Sequence, residues 1–155
     1  MKKCENGKMI TMVEVDSLDL KILKMLQEEG RIPFTEMAGK LRLSESTIRK
    51  RVQSLQKKEV IKKFTVEIDP SKIGIRTIAI VGVDVDPTEL LEAAQKLCEI
   101  NEVRSVAMST GDHMIMTEIW TKDGRELTKL ISEKIGNIEG VKKICPAIIL
   151  EKLKS

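Results

Sequence analysis

Between Gly39 and Lys63 the chain places nine Lys or Arg side chains against only Glu45 and Glu59. That local excess can attract a polyanion although the whole chain is near neutral. Spacing makes the cluster more than a charge run. Ile48, Val52 and Leu55 recur at helical intervals, while Glu45, Ser46, Arg49, Lys50, Gln53 and Lys57 fall on the opposite surface. Ser44 suits the N-cap of that helix, its hydroxyl accepting from the amide of Ser46 or Thr47 and leaving other first-turn amides to face a phosphate. The chemistry is hydrogen bonding and ion pairing to base edges and phosphates. The residues assigned to it are Ser44, Glu45, Ser46, Thr47, Arg49, Lys50 and Gln53, with Lys62 and Lys63 on phosphates and Arg51 either on a phosphate or bracing the domain.

Any single exposed Lys or Arg is more often just solvated. What favours recognition is the element in front of the cluster. Residues 34–53, FTEMAGKLRLSESTIRKRVQ, read as two short helices joined by a tight turn, with Met37 and Leu41 matching the apolar stripe and Leu43 plugging the turn. EVIKKF, residues 59–64, follows as a basic, strand-like wing. This is a winged helix-turn-helix pattern.

Other chemistries find little support. Cys4, Cys98 and Cys145 are odd in number, scattered and without a C-x-x-C pair, so neither a disulfide framework nor a metal site is suggested, and no cofactor is expected. Cys98 and Cys145 read as small buried hydrophobes. An enzyme would need Asp112 and His113 with Cys98 or Cys145 as nucleophile, and there is no phosphate-binding glycine loop or nucleophile elbow beside them. The expectation is no catalytic residue.

The elements that must position the basic helix can be read in both directions. The chain has 155 residues, 41% hydrophobic content and a formal charge of +3. Residues 1–75 carry 16 basic and 11 acidic side chains and residues 76–155 carry 11 and 13, so the halves stand at +5 and −2. No apolar run approaches a membrane span and the start is too polar for a secretory signal, which predicts a cytoplasmic protein. A charged fraction of 33% beside seven Asn and Gln residues leans toward a thermophilic source. Residues 1–15 read as an arm, with Met1, Met9 and Met12 as alternative starts. A supporting helix opens at Asp16, boxed by Asp19, carries Leu18, Ile22, Met25 and Leu26 inward, and ends near Gly30. The DNA-binding domain is assigned to residues 16–63, and residues 64–75 to a hinge, with FTVEID alternating as a strand before Pro70 and Gly74.

Residues 76–155 then alternate strands and helices. RTIAIVGVDV is a strand, and DPTELLEAAQKLCEI a helix with Leu90, Leu91, Ala94 and Leu97 inward. VRSVAMST and MIMTEIW are strands joined by the turn Gly111-Asp112-His113, KDGRELTKLISEKIGNI is a helix with Leu127, Leu130, Ile131 and Ile135 inward, and VKKICPAIILEKL is the last strand. The order βαββαβ is ferredoxin-like, so the fold class is α+β. The first and last strands are apolar on both faces, through Ile78 and Ile80 beside Ala79, Val81 and Val83, and Cys145, Ala147 and Ile149 beside Ile144, Ile148 and Leu150. A second sheet from another copy would bury the extra face, and a homodimer supplies two recognition helices for a pseudo-palindromic site on double-stranded DNA.

With those segments in view, the chain resembles the Lrp/AsnC, or feast/famine, family of transcriptional regulators from about Val15 to Leu153. The resemblance rests on VDSLDLKIL, GRIPFTEMAGKLRLSESTIRKRVQSL, VIKKFTVEIDPSKIG, STGDHMIM and IGNIEGVKKICPAIILEKL, the last two being most like archaeal leucine-responsive regulators of hyperthermophiles. It implies a winged helix-turn-helix joined by a hinge strand to a ferredoxin-like RAM domain, dimers that can assemble into octamers, and regulation that often includes repression of the protein's own promoter. It also implies an amino-acid or other small-molecule effector near Gly111, Asp112, His113 and Met114. The family turn is often Gly-Asp-Tyr-Asp, and replacing its last two residues by His113 and Met114 removes a carboxylate suited to an ammonium. Where the helix-turn-helix turn often holds Gly, this chain has Arg42, so either that residue is strained by positive φ or the turn differs slightly. An architectural DNA-coating protein and a small-molecule-binding RAM module are the alternative readings.

Overall fold

The structure, a computed structural model, describes residues 13–153. The expected arm therefore lies outside the described residues except for its last three. The chain divides into two compact units at Ile68 and Asp69.

The first unit is built on α1 (Ser17–Glu28), α2 (Phe34–Leu41) and α3 (Glu45–Lys57). Asp16 caps α1, accepting from the amides of Leu18 and Asp19 at 2.9 and 2.8 Å, and Asp19 reaches back to the Asp16 amide. Ile22, Ile32, Met37, Ala38, Ile48, Val52 and Leu55 form the buried core, with Leu18, Met25, Leu26, Leu41 and Leu43 packed against it. The amphipathic periods read from the sequence thus converge on one apolar centre.

The wing and hinge depart from expectation. The turn after α3 folds back, Val60 and Ile61 both donating to the Leu55 carbonyl at 2.9 and 3.1 Å, with Glu59 at φ 57°. Neither EVIKKF nor FTVEID forms a strand. The alternation of Phe64, Val66 and Ile68 is present, but all three are exposed, Val66 by 75%. A strand needs a ladder partner for its amides and carbonyls, and the described part of one chain offers this segment none.

The second unit contains β1 (Thr77–Val85), α4 (Leu90–Glu99), β2 (Val103–Met108), β3 (Ile115–Thr121), α5 (Gly124–Leu130) and β4 (Val141–Ile148). All pairs are antiparallel, in the order β2-β3-β1-β4. Ala79, Val81, Val83 and Val85 of β1 and Ile115 and Ile119 of β3 meet Ala93 and Leu97 of α4 and Leu127 and Leu130 of α5. A π-helical turn, Ile131–Ile135, continues α5 and brings Ile135 back to the core. Leu91 is a correction: it is 66% exposed. Leu90, Ala93, Ala94 and Leu97 form the inner stripe at helical spacing, which leaves Leu91, about 100° round from Leu90, facing outward. Cys98 and Cys145 are a second correction: read as buried small hydrophobes, both are only half-buried, and Cys98 is disulfide-bonded whereas Cys145 is free.

The other sheet face carries Ile78, Ile80 and Gly82 from β1, set in register opposite Trp120, Glu118 and Met116 of β3. Ala147 pairs with Ile80, and the Ile149 amide donates to the Ile78 carbonyl at 2.8 Å, so the last strand supplies the same face. Arg104 stacks over the Trp120 ring at 4.6 Å. Among the described residues of this unit no helix lies on this largely apolar face, because both of its helices cover the opposite one.

Candidate nucleic-acid interface and sensor turn

The turn between α2 and α3 is closed by Arg42 in the left-handed region, φ 54° and ψ 47°. The Leu43 amide reaches the Ala38 carbonyl at 2.9 Å, and its side chain packs on the core. Arg42 thus takes the left-handed conformation that glycine would adopt freely, the first of the two alternatives expected for this turn. Ser44 then caps α3, accepting from the Thr47 amide at 3.2 Å, one of the two partners expected for it. Its hydroxyl also lies 2.9 Å from that of Ser46 and 2.8 Å from that of Thr47, a cluster of three hydroxyls at the helix start.

Burial of Ile48, Val52 and Leu55 turns Ser46, Arg49, Lys50 and Gln53 outward. Glu45 and Thr47 are half-exposed beside them, and Lys62 and Lys63 are exposed beyond the turn. Arg49 pairs with Glu45 one helical turn back at 2.5 Å, and its guanidinium stands 5.3 Å from the centre of the Phe34 ring. The Phe34 contact escaped the sequence reading, since it joins α2 to α3 across fifteen residues and no helical spacing announces it.

Arg51 points elsewhere. Its Nη1 lies 2.6 Å from Asp16 and 2.8 Å from Asp19, at the start of α1. Asp16 is held below the usual carboxylate range, first by the Asp19 amide and next by Arg51, and the two aspartates raise Arg51 in return. Of the two roles left open for Arg51, this geometry is that of the brace, fastening α3 to α1.

The second cluster surrounds the β2–β3 turn. Its reach is longer than the three residues expected, since the Ser109 amide donates to the Met114 carbonyl at 2.9 Å. Gly111 and Asp112 are exposed at its tip; His113 and Met114 are half-buried at its base. His113 Nδ1 lies 3.1 Å from an Asp84 oxygen, the Met114 amide donates to Asp84 at 3.3 Å, and the Ser109 hydroxyl donates to the His113 carbonyl. A Cβ at position 82 would sit 2.1 Å from the His113 ring, so only glycine lets the imidazole cross β1 here. His113 therefore holds the turn against the sheet. Asp84 was missed as its anchor, although alternation along TIAIVGVDV puts Gly82 and Asp84 on the same face.

An AsnC-type helix-turn-helix domain matches residues 15–56, and an Lrp/AsnC ligand binding domain matches residues 78–155. Over 140 residues the chain is 51% identical to the HTH-type transcriptional regulator LrpA of Pyrococcus horikoshii, a span of 90% of this chain and 99% of that relative. The chain belongs to the Lrp/AsnC family of transcriptional regulators. It is also 32% identical over 142 residues to the HTH-type transcriptional regulator LrpA1 of Halobacterium salinarum, covering 92% of this chain and all of that family member. Among solved structures of the family fold, E. coli AsnC superposes with a TM-score of 0.84 at 22% identity, covering 92% of this chain and 97% of that one. A transcriptional regulator of Neisseria meningitidis solved in complex with L-Met gives 0.84 at 22%, covering 92% and 94%. The helix-turn-helix unit is thus a DNA-binding domain, and the chain is a transcriptional regulator. Among the described residues no helix is long and apolar enough to cross a membrane, and no group of His, Cys, Asp or Glu is arranged to hold a metal.

Proposed function

We propose that the chain is a sequence-specific regulator that binds a pseudo-palindromic promoter site as a homodimer, its α3 lying in the major groove of each half-site. The observation that carries this is the outward face of α3, where Arg49, Lys50 and Gln53 stand exposed behind an N-terminus capped by Ser44. Glu45, Ser46 and Thr47 complete the groove-facing set, the hydroxyls suiting phosphate oxygens or base edges. Lys62 and Lys63 contact phosphates. The uncovered apolar sheet face supports assembly into dimers, and Asp112 with the Gly111 backbone, His113 and Met114 form the proposed effector turn. Repression of its own promoter and octamer formation are the regulatory readings consistent with this assembly.

Gel-shift titration over a salt series tests the base-reading assignment. Arg49→Ala should weaken binding to the operator by about 1–3 kcal/mol and relax preference at one base, as expected on losing a bidentate contact to guanine. Lys63→Ala should weaken binding to all sequences alike and lower the salt slope by roughly 1. An equal loss on operator and scrambled DNA for Arg49→Ala would remove it from the base readers.

A further inference from the structure

Phe34 is the first residue of α2 and lies off the recognition helix, yet its ring faces the Arg49 guanidinium at 5.3 Å between ring centre and Cζ. Glu45 holds the same guanidinium through Nη2 from one turn back on α3. The three residues come from both helices of the motif, and Phe34 is itself packed against the buried core through its partly buried ring. We propose that Phe34 is a specificity-determining positioning residue, its aromatic face and the Glu45 carboxylate together fixing the plane of the Arg49 guanidinium before DNA is met. This rests on the reading of Arg49 as a base-contacting residue.

The physical case follows from what a free arginine would lose. An exposed Arg has several rotatable bonds, and a bidentate contact to guanine needs its planar fork in one orientation. Glu45 alone fixes one nitrogen and leaves the plane free to swing. A ring beside the guanidinium adds an attraction that depends on the face of the cation, so carboxylate and ring together restrict both position and tilt. The ordering cost is then met within the protein rather than at binding, as in other preorganised recognition surfaces. Lys at position 49 would keep the charge but lack the planar fork.

Phe34→Leu keeps an apolar side chain on the core and removes the aromatic face; Phe34→Tyr keeps the face. Operator and scrambled duplexes are titrated with the full-length protein carrying each substitution, alongside Arg49→Ala and the Phe34→Leu, Arg49→Ala double variant, with thermal unfolding as the fold control. Phe34→Leu should weaken operator binding roughly three- to fivefold, the scale of an exposed cation–π contact, with little change on scrambled DNA. Its loss of preference should fall at the base position relaxed by Arg49→Ala, vanish in the Arg49→Ala background and be restored in Phe34→Tyr. If Phe34→Leu leaves preference intact while Arg49→Ala abolishes it, Phe34 does not position the reader and the proposal fails alone. If Arg49→Ala weakens both DNAs equally, the base-reading assignment fails and this proposal with it. Should Phe34→Leu unfold early, Phe34→Met gives the same comparison, and retained preference there overturns the proposal.

Discussion

Arg51 shows most clearly what a single side chain can be asked to do in two ways. Charge and position on α3 made it a candidate for a phosphate, but its guanidinium is committed to Asp16 and Asp19. Those partners lie 35 and 32 residues away in sequence, so nothing in the local pattern announces them. Ser44 and the Ile48, Val52, Leu55 stripe were legible because caps and helical periods are local rules. Arg51→Ala should therefore lower the melting temperature of the helix-turn-helix unit while leaving the salt slope of DNA binding unchanged. A slope reduced by roughly 1 would return Arg51 to the phosphate contacts. The pH dependence has a definite sign. The Asp16 carboxyl is held below its ordinary value by the Asp19 amide and by Arg51, so its contribution to stability is full above the ordinary value and is lost as the pH falls from there through the lowered one. Thermal melts at falling pH should show this loss in the native protein, and a shallower one in Arg51→Ala.

At the scale of elements, the two helical periods and the strand alternation were readable, and the topology β2-β3-β1-β4 is the ferredoxin-like order that βαββαβ implies. What could not be read was how each element meets its neighbours. Leu91 is exposed because Ala93 takes its place in the inner stripe of α4, and among the described residues FTVEID forms no strand because alternation alone cannot supply a partner strand. The two-faced strands now separate into distinct tests. Val81 is fully buried beneath the helices, whereas Ile149 lies with Ile78 on the uncovered face. Val81→Asp should unfold the sheet domain, since an unpaired charge would be buried in its core. Ile149→Asp should leave the fold intact and shift sedimentation toward a smaller species. If Ile149→Asp keeps the native assembly state, the uncovered sheet face is not where copies of this chain meet.

For the whole molecule, the question is how a sensor unit could bias a DNA-binding unit. A ligand shifts such an equilibrium only by its differential affinity for the two states. The proposed effector turn presents a single free carboxylate at its tip, Asp112, because Asp84 is already engaged by His113 and the Met114 amide. Free α-amino acids should accordingly bind weakly, and regulation should then follow protein concentration and assembly or a less cationic ligand. Calorimetry with the twenty amino acids checks this: a dissociation constant tighter than about 100 μM that disappears in Asp112→Ala would make the turn a working amino-acid site. The central claim, that this regulator reads sequence through α3, is met most directly by competition binding at physiological salt between DNA from its own promoter and scrambled duplex of equal length. A preference of roughly a thousandfold or more for the promoter is the predicted result; equal affinity for both, with occupancy rising only with DNA length, would contradict it and describe a protein that coats DNA instead.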